Sequence, residues 1–340
     1  MDKIDIKNLT LEEIKKEMKR FYVPSYRAGQ LFDWIYKRLA LEFLDMSNLP
    51  LGFREKLDRY YYIGRMKLKE RLKSGDGTEK FLFELSDGNF IESVLISARA
   101  RNTLCISTQV GCKYGCIFCA SGTRGFVRDL SSSEITGQVL AAQEITGKRI
   151  TNLVFMGMGE PLDNYENMAS SILIMNSQEG LGIGARKITL STCGVIPGIE
   201  KLASLGLQVN LSISLHAADN KKRDALMPVN KKFSLERLIK ACALFAEETG
   251  RKITLEYVLI KDKNDSIVDA DLLSCVARKL KAKVNLIPYS PVRCKSFESP
   301  SGKTINQFKG RLLRNKINVT VRDSKGKDIQ AACGQLAIKQ

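Results

Sequence analysis

The sequence predicts an α/β fold: a partial (β/α)6 barrel preceded by an N-terminal helical accessory domain and a β-hairpin. Three observations point there. From about residue 103, short β-rich runs alternate with segments of helical periodicity, the pattern of parallel strands joined by crossover helices. The unusual motifs of the chain fall where those strands end, the edge at which such barrels carry chemistry. Before residue 100 the periodicity differs, with charged helical spacing to about residue 75 and then strand alternation about a tight turn.

Taken in order, residues 1–75 read as helical and charged. Leu11-Glu-Glu-Ile-Lys-Lys-Glu-Met18 has helical spacing, with Thr10 placed as N-cap. The run from Tyr26 to Lys37 puts Leu31, Trp34 and Ile35 on one helix face, so its aromatics are expected in a core. Residues 76–100 form the hairpin linker: Lys80–Leu85 and Phe90–Ile96 alternate around Asp87-Gly88. Residues 101–325 form the barrel, with strands at 103–109, 151–156, 187–192, 208–215, 252–259 and 283–288. Helices are marked near 132–146, 164–177, 234–248 and 267–280. Ser131 and Glu134 spell a capping box, flanked by Leu130 and Ile135 as a hydrophobic staple. Residues 291–303 read as a loop, a last strand covers 317–322, and 326–340 form a tail.

The chain has 340 residues, 44% of them hydrophobic, enough for one large core and a smaller domain. Its start, Met1-Asp-Lys-Ile-Asp-Ile-Lys7, lacks the apolar run of a secretion signal, and nine cysteines suit a reducing compartment. A cytoplasmic protein without a membrane span, monomeric by default, is expected. The formal charge of +17 points to a polyanionic partner, for which nucleic acid is favoured.

Three cysteines, Cys112, Cys116 and Cys119, stand in C-x-x-x-C-x-x-C spacing. Structural zinc prefers four ligands in two close pairs or with His, and the only His is the distant His216. Disulfides need an oxidising compartment. Three thiolates instead suit a [4Fe-4S] cluster with one iron left open, the arrangement that binds S-adenosylmethionine (SAM) and cleaves it by one electron. Gly157-Met-Gly-Glu160 follows strand two, Ser191-Thr-Cys-Gly194 strand three, Ser214-Leu-His216 strand four, and Pro288-Tyr-Ser290 strand six. Glycines after a strand let backbone approach a ligand closely. Cys333, beside a glycine in the tail, fits a reactive thiol better than a core residue. Cys105, just upstream of the triad, either packs inside the barrel or faces the site. Cys242 and Cys275 sit in apolar helical patterns and are expected in the core. Cys193 and Cys294 lack a chemical context. Glu92, alone in a hairpin strand, reads as solvent-facing from pattern alone.

These motifs resemble the RlmN/Cfr family of radical SAM RNA methyltransferases over most of the chain. The resemblance rests on Asp76-Gly-Thr78, Thr108 to Gly122 around the triad, Met156 to Leu162, Leu190-Ser-Thr192, Ser214 to Ala217, Leu226-Met-Pro-Val-Asn230, Asn285-Leu-Ile-Pro288 and Ala331-Ala-Cys-Gly-Gln-Leu336. It implies a partial (β/α)6 radical SAM barrel, a [4Fe-4S] cluster on Cys112, Cys116 and Cys119, and SAM held by Gly159, Glu160, Ser191, Ser214, Leu215 and His216. Ser290 stands where the family usually has Asn. The implied reaction methylates adenine C2 in 23S rRNA at the peptidyl-transferase centre, and the adenine 3′ of the anticodon in tRNA, using two SAM per turnover. One SAM methylates Cys333. The other yields a radical that activates this methyl group for attack on C2. Cys105 then releases the product by forming a disulfide with Cys333, and Glu92 aligns with the proton acceptor. A donor such as flavodoxin or ferredoxin would supply the electron. Two other readings compete: a Cfr-like enzyme acting at adenine C8, and a non-catalytic iron–sulfur or zinc RNA-binding module.

Overall fold

The structure, a computed structural model, describes residues 3–292 and 296–336. Cys294 lies outside them. The N-terminal domain begins with β1 (Ile4–Asp5), which pairs in parallel with β2 (Tyr61–Tyr62). Between them lie α1 (Leu11–Arg20), α2 (Arg27–Phe32), which continues as a π-helical turn over Asp33–Lys37, and α3 (Leu51–Tyr60). Thr10 and Glu13 make the reciprocal capping box that starts α1. Leu31 and Ile35 are buried with Phe32, Tyr36 and Phe43, while Trp34 is partly buried and donates Nε1–H to Asn48 Oδ1 at 2.6 Å. Tyr26 departs from the aromatic-core expectation and is exposed. Ile174, from the barrel, completes this second core.

The helical reading of residues 1–75 fails at its end. β3 (Lys67–Lys73) is a strand, exposed at nearly every position and paired antiparallel with β4 (Glu79–Glu84). Leu68 and Leu72 stand four apart, as on a helix, but a bulge between Leu68 and Glu70 shifts their register. A lysine-rich edge strand of this kind protects a sheet from pairing with another chain. The hairpin is likewise not a separate linker. β5 (Phe90–Ala98) pairs with β4 and with β6 (Arg101–Cys105), joining the hairpin to the barrel sheet.

After β6 the chain leaves the sheet earlier than predicted. β7 (Gln109–Gly111) forms a separate two-stranded ribbon with β8 (Phe126–Asp129), framing the cysteine loop and the short α4 (Ala120–Arg124). Then follow α5 (Ser132–Thr146), β9 (Asn152–Phe155), α6 (Tyr165–Asn176), β10 (Ile188–Thr192), α7 (Ile196–Ala203), β11 (Asn210–Ser214), α8 (Asn220–Leu226), α9 (Leu235–Thr249), β12 (Thr254–Leu259), α10 (Ile267–Lys279), β13 (Lys283–Pro288), α11 (Gly302–Arg314) and β14 (Val319–Val321). Among the described residues, one ten-stranded sheet runs β14-β13-β12-β11-β10-β9-β6-β5-β4-β3, and its members from β14 to β6 are mutually parallel. Ser131 caps α5 with Glu134, and Leu130 and Ile135 are fully buried beside that cap.

Among the described residues after β6, four helices lie outside the predicted ranges: the short α4 and α8, and the longer α7 and α11. α7 carries Pro197 and Gly198; the proline sits in the first turn, where its missing N–H costs nothing. α11 buries only Phe308 and Leu312, so its apolar stripe is too thin to stand out from a basic run. One core assignment also fails. Cys242 is buried, but Cys275 is exposed, because α10 turns Ala270, Leu273, Ser274 and Ala277 inward and leaves Cys275 on the outer face.

Candidate active site

The ends of the parallel strands meet around a cavity of about 160 Å³. Cys112, Cys116 and Cys119 line it together with Gly159, Glu160, Ser191, Ser214, His216, Ser290 and Cys333. The cysteine loop is held from four sides. Cys112 N–H donates to Gly125 O at 2.9 Å, a contact possible because residue 111 is glycine: its φ is +77°, and a Cβ there would run into the Gly125 carbonyl. Lys113 pairs with Asp163, which also accepts from Tyr114 Oη at 3.1 Å. Ile117 N–H reaches Leu226 O, and Ala120 N–H reaches Gly334 O in the tail.

Burial pushes the Cys112 thiol up to about 12. It also raises Cys116, with the neighbouring Cys119 and Cys112 adding to the rise. Desolvated thiols such as Cys112 and Cys116 resist ionising side by side unless a metal centre takes up their charge, so with Cys119 on the same loop this donor set fits a cluster held from one side. Ser290 Oγ and Glu256 Oε2 are buried with no hydrogen-bond partner among the described residues, although both residues line the cavity. Such atoms fit a wall that meets a polar ligand.

Most residues assigned to SAM converge. Ser191 and Ser214, at the ends of adjacent strands, meet hydroxyl to hydroxyl at 3.2 Å. Glu160 is buried; its carboxylate accepts from Leu162 N–H at 3.1 Å and Cys193 N–H at 2.7 Å, and burial raises its pKa. Gly159, at φ +98°, packs so tightly on Gln109 that a Cβ would lie 2.6 Å from the Gln109 Cβ. That glycine therefore serves the packing of the loop on the start of β7 as much as any ligand. His216 adopts φ +57°, accepts Val258 N–H on Nδ1 at 3.0 Å and meets the Phe118 ring edge-to-face. Burial, aided by Arg223, pushes its pKa down to about 3, so the ring is neutral with its proton on Nε2. Leu215 is the exception. Its side chain is in the core, its N–H goes to Glu256 O, and its carbonyl accepts from Arg223.

Cys333 lines the cavity and is exposed as a residue, yet the surrounding protein desolvates its thiol and raises its pKa. Cys105 is pushed up to about 12, by burial first and then by the nearby Cys333, while Arg322 pulls it back. The two thiols therefore share one neighbourhood. Glu92 is not solvent-facing as its pattern suggested; it is buried, 3.0 Å from Lys80 Nζ. Val94 pairs with Cys105, so Glu92, two residues earlier in β5, lies on the same sheet face as Cys105.

Sequence reasoning missed Arg223, Glu256 and Arg322. Arg223 is fully buried and donates to Cys193 O at 2.6 Å, Asn230 Oδ1 at 2.8 Å and Leu215 O at 3.2 Å, tying together the ends of β10 and β11. In sequence it sits in Lys221-Lys-Arg223, which reads as a solvated run. Glu256 alternates with inward apolar residues of β12 and is held by Asn285 and Ser212, a polar break in an apolar strand that could have been noticed.

Comparison with known proteins agrees with this geometry. Residues 106–273 match the radical SAM superfamily, whose members use a [4Fe-4S] cluster and SAM, and residues 4–63 match a ribosomal RNA large subunit methyltransferase N-terminal domain. The chain is 44% identical over 333 residues to a probable dual-specificity RNA methyltransferase RlmN of Clostridium novyi, covering 98% of this chain and 97% of that one. It is 47% identical to the Clostridium acetobutylicum protein of the same description, covering 95% and 94%. A radical SAM methyltransferase crystal structure from Sphaerobacter thermophilus superposes with a TM-score of 0.92 at 42% identity, covering 98% of this chain and 99% of that one. A cysteine triad at the mouth of a parallel sheet, a second cysteine pair beside it and full-length likeness at this level place the chain in the RlmN family of radical SAM RNA methyltransferases.

Proposed function

We propose that this protein methylates adenine C2 in 23S rRNA and in tRNA through an S-methylcysteine on Cys333. The observation that carries the reading is the docking of the tail. Its Gly334 carbonyl accepts from Ala120, next to the triad, and Cys333 shares the cavity with Cys112, Cys116 and Cys119. Adenine C2 is an electron-poor C–H carbon without an acidic proton, so polar methyl transfer does not reach it. Cys112, Cys116 and Cys119 would hold a [4Fe-4S] cluster, whose chemistry when bound would be one-electron reduction of SAM. The chain's own residues do the rest. Cys333 takes the methyl group as a thiolate, favoured by the Arg322 guanidinium, which lowers its pKa against the effect of burial. Gly159, Glu160, Ser191, Ser214, His216 and Ser290 hold SAM, with Leu215 acting only through the backbone. Glu92 accepts the C2 proton, and Cys105 takes the sulfur of Cys333 as a disulfide, freeing the RNA.

Ribosomal RNA lacking the modification, incubated anaerobically with reconstituted protein, SAM and a reductant and then digested to nucleosides, is expected to yield 2-methyladenosine. A mass-spectrometric signal at 8-methyladenosine would move the assignment to the Cfr branch. Absence of 5′-deoxyadenosine would favour the non-catalytic binding module.

The RNA surface is proposed to include the N-terminal domain, where Tyr22 and Tyr26 are exposed and the Arg27 guanidinium lies 5.2 Å from the Tyr26 ring centroid. Such ring faces suit unstacked bases. With a net charge of +17, RNA affinity should fall about a thousandfold between 50 and 200 mM salt if roughly six phosphates are neutralised. Affinity by filter binding that ignores salt would overturn the electrostatic part of this reading. A monomeric, cytoplasmic enzyme reduced by a flavodoxin or ferredoxin completes the proposal. Among the described residues, no helix is long and apolar enough to cross a membrane.

A further inference from the structure

Lys80 is a lysine almost without access to solvent. Its side chain is 7% exposed, and its ammonium lies 3.0 Å from the Glu92 carboxylate, itself 5% exposed. The same nitrogen donates to the carbonyl of Gln330 at 3.2 Å. An ammonium has three donors and no acceptor, and burying one is costly unless oxygens surround it. Here those oxygens come from two elements far apart in sequence. One is the hairpin strand with the proposed proton acceptor. The other is the tail, three residues before Cys333.

Among the described residues the tail is held on both sides of Cys333, and Lys80 sits at the inner edge of the first anchor. Asp328 accepts from Ser74 Oγ at 2.6 Å and from Gly75 N–H at 3.3 Å, and Gly326 N–H donates to Asp76 Oδ2 at 3.1 Å. Beyond Cys333, Gly334 O accepts from Ala120 N–H, Gln335 Nε2 donates to Pro291 O at 2.7 Å, and Leu336 O accepts from Ser121 Oγ at 2.7 Å. Gln330 itself has φ +53°, a conformation unfavourable for a residue with a side chain, so its carbonyl is aimed by a backbone that needs an external hold. Register explains why one lysine reaches both. Lys80 pairs with Val94 in β5, which pairs with Cys105 in β6, so Lys80, Glu92 and Cys105 share one sheet face.

We propose that Lys80 is a positioning residue that holds the Cys333-bearing tail in register with Glu92. The role rests on the function proposed above for Glu92 and Cys333, but the contact itself does not. A surface ion pair could pin the tail as a whole. A buried ammonium shared between the hairpin and Gln330 fixes the one stretch that sets where the Cys333 sulfur lies relative to Glu92.

The test compares Lys80→Met and Lys80→Arg with the unaltered, cluster-loaded protein. Amide hydrogen exchange over residues 329–333 is expected to quicken at least tenfold in Lys80→Met, with the β4–β5 amides unchanged. kcat for methylation should fall by about tenfold to a hundredfold, the effect of a displacement near 1 Å, while KM for RNA stays within about twofold. Lys80→Arg, which keeps the charge, should recover part of both. Because Lys80→Met removes the ion-pair partner 3.0 Å from the buried Glu92 carboxylate, Lys80→Met with Glu92→Gln, compared with Glu92→Gln alone, provides a second exchange measurement. Quickened tail exchange in Lys80→Met, and in the double variant relative to Glu92→Gln alone, supports the latch. Unchanged tail exchange in Lys80→Met and in the double variant overturns it, as does a loss confined to KM. Tail exchange needs no turnover, so a failure of the methylation reading leaves the latch separately measurable.

Discussion

Replacing Cys112, Cys116 or Cys119 with alanine is expected to give a folded but colourless protein, its iron falling from about four atoms per chain to near zero. The loop that carries the triad owes its shape to contacts that these side chains do not make: the Cys112 N–H to Gly125, Lys113 and Tyr114 to Asp163, Ile117 to Leu226 and Ala120 to Gly334. Alanine leaves all of them in place, so the barrel persists. What would be lost is one of the three thiolates proposed to hold the cluster, and two are too few to retain it. Reductive SAM cleavage should disappear together with the iron. Normal iron and full brown colour in any of the three variants would sink the ligand assignment.

The contrast between these thiols and Lys80 shows what a sequence exposes and what it hides. The triad is legible because its spacing is local: three donors within eight residues can be weighed against zinc on the page. The strand-end motifs are legible because a polar or glycine-rich run that stops a β-rich stretch marks the same edge of a parallel sheet each time. The thiol pair and Glu92 gained meaning only through resemblance. Their proximity depends on a tail folding back over 200 residues and on a cross-strand register, which no periodicity encodes. Arg223 and Lys80 were hidden for another reason. Long cationic side chains are normally solvated, and only the carbonyls and carboxylates gathered around them in three dimensions make burial tolerable. β3 misled in the opposite direction, since a charged edge strand with leucines four apart carries the pattern of a helix.

Cys105→Ala is expected to stall with RNA covalently attached through Cys333. The scheme requires that the carbon destined to become the new methyl group remain bonded to the Cys333 sulfur once it has joined C2. A thioether linking protein to RNA has no easy exit: the unpaired electron left by radical addition must pass to an oxidised one-electron carrier, the C2 proton must go to a base, and the sulfur must be taken by a second thiolate, which forms the disulfide as the departing carbon takes up a proton to become the methyl group. Cys105 is the residue proposed for that step. It lies at the end of β6, near enough to Cys333 for the second thiol to raise its pKa, and Arg322 favours the thiolate of both. Its burial pushes the free thiol up to about 12, so attack draws on that guanidinium and on the departing RNA carbon, not on a thiolate standing ready at neutral pH. Removing one half-buried sulfur costs on the order of 1–2 kcal/mol, too little to unfold a barrel of this size, so the variant should accumulate the adduct instead of losing the protein. Purified from cells that contain its RNA and digested with protease and nuclease, it should show a nucleotide mass on the peptide carrying Cys333. Cys333→Ala, which has no sulfur to methylate, should bind SAM and show neither methyl nor adduct. Clean turnover to 2-methyladenosine by Cys105→Ala would mean that another group resolves the thioether and that Cys105 only fills the sheet face behind Glu92.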